Sequence, residues 1–161
     1  MFARVFLLMI EHESAFVKQI LIYYQNSDYQ SACNLGKEFI AKFPSSLMAH
    51  YLLAKSCFRC GDAVSAVTEA YRAFNLAESE DDRVATCLLL SCIFYEQKKF
   101  SKAYEVLKSL KGISDERLEK ANFILSMCLN LPNEALLHVE ELYRINKDVA
   151  DGFVDSFLRG C

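Results

Sequence analysis

The stretch LLAKSCFRCGDAVSAVTEAYRAF, Leu52 to Phe74, decides the fold. Apolar residues run at helical spacing to Phe58, Cys60-Gly61-Asp62 interrupts them, and the helical pattern resumes at Ala63. The segment therefore reads as two helices joined by a tight turn. Similar units stand on either side: IYYQNSDYQSACNLGKEFIAKFP from Ile22 to Pro44, and LLSCIFYEQKKFSKAYEVLKSL from Leu89 to Leu110. Ala32, Ala66 and Ala103 hold one place in the three units, at spacings of 34 and 37 residues. A period of this size, with small residues at fixed offsets, describes stacked helix pairs. Such arrays present surface and seldom perform chemistry.

Counting Glu13, Leu47 and Val84 as position 1 brings the units into line. Position 8 is then Ile20, Ala54 and Ser91; position 11 is Tyr23, Cys57 and Phe94; position 20 is the alanine; position 27 is Phe39, Ala73 and Leu110. Small residues at 8 and 20 let two antiparallel helices approach closely. Bulky residues at 11 and 17 (Tyr29, Phe100) fill the space between hairpins. Turns are expected at Asn26-Ser27-Asp28, Cys60-Gly61-Asp62 and Glu96-Gln97-Lys98-Lys99. Pro44 at position 32 closes the first unit, and Ser45 or Ser46 can cap the next helix. The acidic stretch Glu78 to Asp82 lengthens the second connection by three residues, and its Asp side chains suit the start of the following helix.

Beyond Gly112 the pattern loosens. Arg117 to Leu131 and Asn133 to Ile145 form a fourth helix pair around Pro132, with a shortened turn. A last amphipathic segment, Asp148 to Leu158, places Val149, Phe153, Val154 and Phe157 at helical spacing; it either caps the stack or leads into a longer chain. The expected organisation is one all-α domain, a solenoid of about four antiparallel helix pairs plus a C-terminal helix. Its parts are an apolar N-terminal helix segment (1–12), repeats at 13–46, 47–83 and 84–115, a degenerate fourth repeat (116–146) and a terminal helix (147–161).

Bulk composition narrows the function. The 53% hydrophobic fraction is high, yet no run approaches the ~20 apolar residues of a membrane span. Surplus apolar surface points to a subunit interface. A net charge of -3, from 18 basic and 21 acidic residues, gives no footprint for nucleic acid. Lys98, Lys99, Lys102, Lys108 and Lys111 read as the solvated face of a hairpin. The seven cysteines lie mostly in apolar helical stretches, where they act as small buried hydrophobes, so the chain is expected to be reduced and intracellular, in nucleus or cytoplasm. Met1 to Ile10 invites a secretory-leader reading, but Glu11-His12-Glu13 stands where a small-residue cleavage site belongs. A docked or partner-facing helix is expected there instead.

Small residues at 8 and 20, aromatics near 11 and 17, a large apolar residue or Ala at 27 and Pro at 32 resemble the tetratricopeptide (TPR) repeat, from about Glu13 to Ile145. A narrower resemblance is to the N-terminal region of subunit 3 of the anaphase-promoting complex (cyclosome). It rests on Tyr29-Gln-Ser-Ala32, on HYLLAKSCFRCGDAVSAV (His50 to Val67) and on AYEVLKSLKG (Ala103 to Gly112). That resemblance implies a homodimerisation module and a scaffold subunit of a ubiquitin ligase of cell division and mitosis, in company with other TPR subunits. The C-terminal repeats that hold coactivator tails in that family are not carried over to these 161 residues.

The concave face of a TPR stack is lined by positions 2, 5, 6, 9, 12 and 13 of the first helices. Here those include Val17, Leu21, Tyr24, Met48, Tyr51, Leu52, Lys55, Phe58, Arg59, Leu88, Cys92 and Tyr95. Co-chaperone TPR proteins clamp a terminal carboxylate with Lys, Asn and Arg. The matching residues here, Val17, Leu21, Leu52, Ala85 and Leu89, are all apolar. A carboxylate there would be desolvated without partners, so the groove suits an apolar helix. A register shift of one would turn some of these residues into ordinary core. Phe2, Phe6 and Met9 recur at i, i+4 and i+7 as one stripe. In a two-fold dimer each copy can lay that stripe in the other's groove, against Leu21, Tyr24, Tyr51 and Phe58; otherwise it caps its own first hairpin. The alternative function is a free-standing TPR adaptor that binds another protein's apolar helix or peptide.

Nothing in the sequence assembles a catalytic or cofactor site. Cys57-x-x-Cys60 lacks a second ligand pair at matching spacing, which a structural zinc site needs. His12, His50 and His138 are isolated, and His50 falls at position 4, normally an apolar packing site. Five glycines form no phosphate-binding loop. The expectation is a non-enzyme without cofactor, metal, membrane or small-molecule substrate.

Overall fold

In the computed structural model, residues 2–160 are described, with side chains described for 12–159. The described residues form nine helices and no strand: α1 (Phe2–Gln25), α2 (Tyr29–Lys42), α3 (Leu47–Arg59), α4 (Ala63–Asn75), α5 (Glu80–Glu96), α6 (Phe100–Lys108), α7 (Glu116–Cys128), α8 (Pro132–Ile145) and α9 (Lys147–Gly160). The chain divides into two compact units, Met1–Asp82 and Arg83–Cys161. The apolar N-terminal segment runs without a break into the first repeat's opening helix, because Glu11-His12-Glu13 contains no helix breaker.

The turns explain why the pairs form. Ser27 (φ 59°), Gly61 (φ 84°), Lys98 (φ 61°) and Asn130 (φ 57°) are all left-handed. With Glu116 as position 1 of the last pair, each of the four is position 15. The hydrogen bonds repeat as well. Asp28, Asp62, Lys99 and Leu131 donate their N–H to the carbonyls of Tyr23, Cys57, Phe94 and Ser126, at 2.8 to 2.9 Å. This six-to-one closure ends each first helix and reverses the chain. Only Gly61 takes the left-handed position without a Cβ penalty. The fourth turn is therefore as long as the others, not shortened, and Pro132 begins α8, where its missing N–H costs nothing. Position 20 of that pair is a fourth alanine, Ala135, 2% exposed.

Caps complete the first unit. Asp28 Oδ1 accepts from the Ser31 N–H at 3.1 Å, Ser46 Oγ from Ala49 at 3.2 Å and Asp62 Oδ1 from Ser65 at 3.0 Å. Hydrogen bonding from the Ser31 and Ser65 side chains, joined by these N–H bonds, holds the Asp28 and Asp62 carboxyls below their ordinary range. Ser46 Oγ also donates to Glu13 on α1. The core gathers Ile20, Ala32, Phe39, Ala49 and Leu52, flanked by Phe16, Val17, Tyr23, Leu35 and Tyr51. At Gly36 a Cβ would meet Leu53 Cδ1 at 3.1 Å, so glycine there lets α2 and α3 approach. Ala66 and Ala54 are fully buried in the α3–α4 hairpin. Ala66→Leu should force these helices apart and destabilise the protein by about 2 kcal/mol in urea unfolding; an unchanged midpoint would contradict the close approach.

In the second unit α6 packs on α7, α7 on α8 and α8 on α9. Phe123 of α7 stands edge-on to Phe153 and Phe157 of α9, with centroids 5.4 and 4.9 Å away. The amphipathic terminal segment thus covers the last pair. Asp115 caps α7 and pairs with Arg117 at 2.6 Å, which draws its carboxyl below the ordinary range.

Candidate protein-binding surfaces

Val17, Leu21 and Tyr24 lie on α1, and Met48, Tyr51, Lys55 and Phe58 on α3, within the first unit. Helices α1 and α3 are neighbours. Val17 and Tyr51 are half-buried against the core, whereas Leu21 and Met48 are 41% and 42% exposed. Lys55 Nζ sits 4.8 Å over the Tyr24 ring, which meets Tyr29 edge-on at 5.0 Å; Arg59 stacks over Tyr29 and donates to its hydroxyl at 2.7 Å. This ladder of cations and rings ties α1, α2 and α3 together at one end. Met48 also borders an open cavity of about 620 Å³ with Glu13, Lys42 and Asp82 on its walls. Phe2, Phe6 and Met9 fall on α1, but their side chains lie outside the described residues.

Leu88 and Tyr95 lie on α5, in the second unit. There they line an apolar cavity of about 310 Å³ with Cys92 and with Ala121, Ile124 and Leu125 of α7. Sequence reasoning named the α5 wall and missed the α7 wall. The signal was present: Ala121 and Ile124 are positions 6 and 9 of the fourth pair. Tyr95 leans on Phe100 at 5.3 Å, and the nearby Cys128 thiol pushes its phenol up. Leu52 and Leu89, expected on the groove, are 4% and 8% exposed and belong to the interior. A leucine at position 6 turns inward, so the carboxylate-clamp comparison holds only in part.

Several polar contacts were not legible. His50 is buried; its Nδ1 meets Glu69 Oε2 at 2.6 Å and its Nε2 meets the Pro44 carbonyl at 3.0 Å. Glu119 and His138 form the same pair at 2.7 Å, with acid and base exchanged between positions 4 and 23. The Cys33 and Cys57 thiols stand 3.1 Å apart. Lys98, Lys99, Lys102, Lys108 and Lys111 are exposed.

Paired helices, a left-handed turn at one register and exposed apolar side chains along the first helices define a TPR-type fold. Residues 1–73 match the family model described as anaphase-promoting complex, cyclosome, subunit 3. No curated protein matches the sequence. Solved structures share the fold. A structure from the functional characterization of Pseudomonas aeruginosa pilF is 20% identical with a TM-score of 0.75, over 94% of this chain and 77% of that one. MamA is 18% identical with a TM-score of 0.71, over 86% and 75%. The APC/C hetero-tetramer Cut9-Hcn1 is 17% identical with a TM-score of 0.70, and the match spans 89% of this chain but only 29% of that chain.

Proposed function

We propose that the protein is a non-catalytic TPR scaffold subunit of an anaphase-promoting-complex ubiquitin ligase, in nucleus or cytoplasm, that pairs with a second copy of itself through its first two repeats. The observation that carries this is the family match over residues 1–73, which spans α1 to α3 and most of α4. That stretch also bears Leu21, Ile22 and Met48, each more than 40% exposed. A self-complementary use of such a face closes into a dimer and leaves no open edge. The dimer interface should exceed the ~2,000 Å² of permanent assemblies. Immunoprecipitation of the native protein tests the assembly. Recovery of other TPR subunits with a cullin-RING core is expected, and recovery of chaperones alone would overturn it.

The second reading is a free-standing adaptor. It is favoured by the apolar α5–α7 cavity, whose Leu88, Tyr95 and Ile124 walls suit an apolar helix or peptide.

A further inference from the structure

We propose that Cys33 and Cys57 form a reversible disulfide that staples α2 to α3, with Cys60 as the thiol through which oxidising equivalents enter. The two sulfurs stand 3.1 Å apart, so a small rotation brings them to the ~2 Å of a bond. Both residues are buried, at 5% and 1% exposure, on helices that already pack together. Cys60, three residues on from Cys57 at the C-cap of α3, is exposed, and its thiol lies within electrostatic reach of Cys33. Three thiols from one end of the α2–α3 pair thus form a relay from solvent to interior. Cys33 and Cys57 are 24 residues apart, and closing such a loop removes freedom from the unfolded chain.

The oxidant is a low-molecular-weight disulfide of the glutathione class, RSSR. Cys60 Sγ attacks one sulfur of RSSR; its proton leaves with the first RSH and a mixed disulfide remains. Cys33 Sγ then attacks Cys60 Sγ, and its proton leaves with the second RSH. Finally Cys57 Sγ attacks Cys33 Sγ and gives its proton to the departing Cys60 sulfur. Two protein thiols lose two protons and two electrons, and RSSR becomes two RSH.

Burial pushes the Cys33 thiol up to about 12, helped by its hydrogen bond to Cys57, and burial pushes Cys57 up as well. Burial likewise raises the Cys60 thiol, as do the thiol of Cys33 and the carboxylates of Asp28 and Asp62 around it. Few thiolates are present near neutrality, so the exchange is slow. The same effect leaves the reduced form without stabilisation by ionisation, so the disulfide persists once made. The device is a lock, not a fast sensor.

The test is equilibration of the full chain with oxidised glutathione, an acid quench, alkylation and tryptic peptide mapping. Cleavage after Lys18, Lys37, Lys55, Arg59 and Arg72 puts Cys33, Cys57 and Cys60 on three separate peptides. The 19–37 and 56–59 peptides should appear joined, with the thermal midpoint raised by roughly 5–10 °C. Dithiothreitol should reverse both changes. Cys57→Ser should abolish the midpoint shift, while Cys60→Ser should slow crosslinking about tenfold without altering its extent. Cys33 and Cys57 left alkylatable while Cys60 carries glutathione would overturn the proposal. So would a terminal crosslink between the Cys33 and Cys60 peptides.

Discussion

Phe39→Ala is expected to destabilise the first unit by about 4 kcal/mol, near the upper range for a large core truncation. Phe39 is fully buried, and its ring carries the contacts that join three segments. It stacks on Phe16 of α1 at 5.0 Å and meets Phe43, after α2, edge-on at 5.6 Å. Phe16 and Phe43 in turn meet edge-on at 6.2 Å, and Lys42 Nζ lies 5.0 Å over Phe16. Removing the central ring leaves a cavity and releases both neighbours at once, because Ile20, Ala32, Ala49 and Leu52 cannot close in from a helical scaffold. Against a total stability of ~5–15 kcal/mol, that loss is severe. Phe39→Leu keeps most of the volume and should cost about 1.5 kcal/mol. Urea unfolding followed by circular dichroism separates the two; equal midpoints would mean that the aromatic cluster does not hold α1 to α2.

Glu69→Ala is expected to cost about 3 kcal/mol, more than its single contact to an exposed residue would suggest. Glu69 is 9% exposed and bridges His50 at 2.6 Å and Arg72 at 2.8 Å. Both nitrogens of the His50 ring face acceptors, the Glu69 carboxyl and the Pro44 carbonyl. The Pro44 carbonyl can only accept, so it takes the Nε2–H, and Nδ1 is held against the Glu69 carboxyl in one short hydrogen bond. Alanine removes the partner and strands that nitrogen inside the α3–α4 hairpin. Glu69→Gln still offers a carbonyl oxygen to the ring and should lose only about 1 kcal/mol. The same urea titration reads both. Equal losses from Ala and Gln would show that volume, not hydrogen bonding, sets the cost.

These two sites mark what sequence could and could not reveal. Ala32, Ala66 and Ala103 were legible because helix periodicity and repeat length are local, regular signals. The first three turns follow from the same logic and the fourth was misread as shortened, yet only Gly61 advertises its left-handed backbone. Asn130 is a residue type that tolerates it, whereas Ser27 and Lys98 adopt it within the hydrogen-bonded closure of their turns and carry no such propensity. Pro132 looked like a break and concealed Ala135, although proline is at home in the first position of a helix. His50 with Glu69, and Glu119 with His138, join residues 19 apart on different helices. Such pairs carry no periodic signature. Cys33 beside Cys57 is likewise a tertiary contact, across two repeats, that a Cys-x-x-Cys search cannot find. The exposure of Leu21 on α1 and Met48 on α3 was readable from register, while Leu52 and Leu89, both at position 6, turn into the interior because that position admits both core and surface residues.

Light scattering coupled to gel filtration tests the central claim most directly. At micromolar concentration the chain should elute at twice its 18.4 kDa mass. Leu21→Glu or Tyr51→Glu should halve that mass with helicity retained, since each sets a charge among the apolar side chains of α1 and α3. A wild-type chain that runs as a monomer of 18.4 kDa would contradict self-association through the first two repeats.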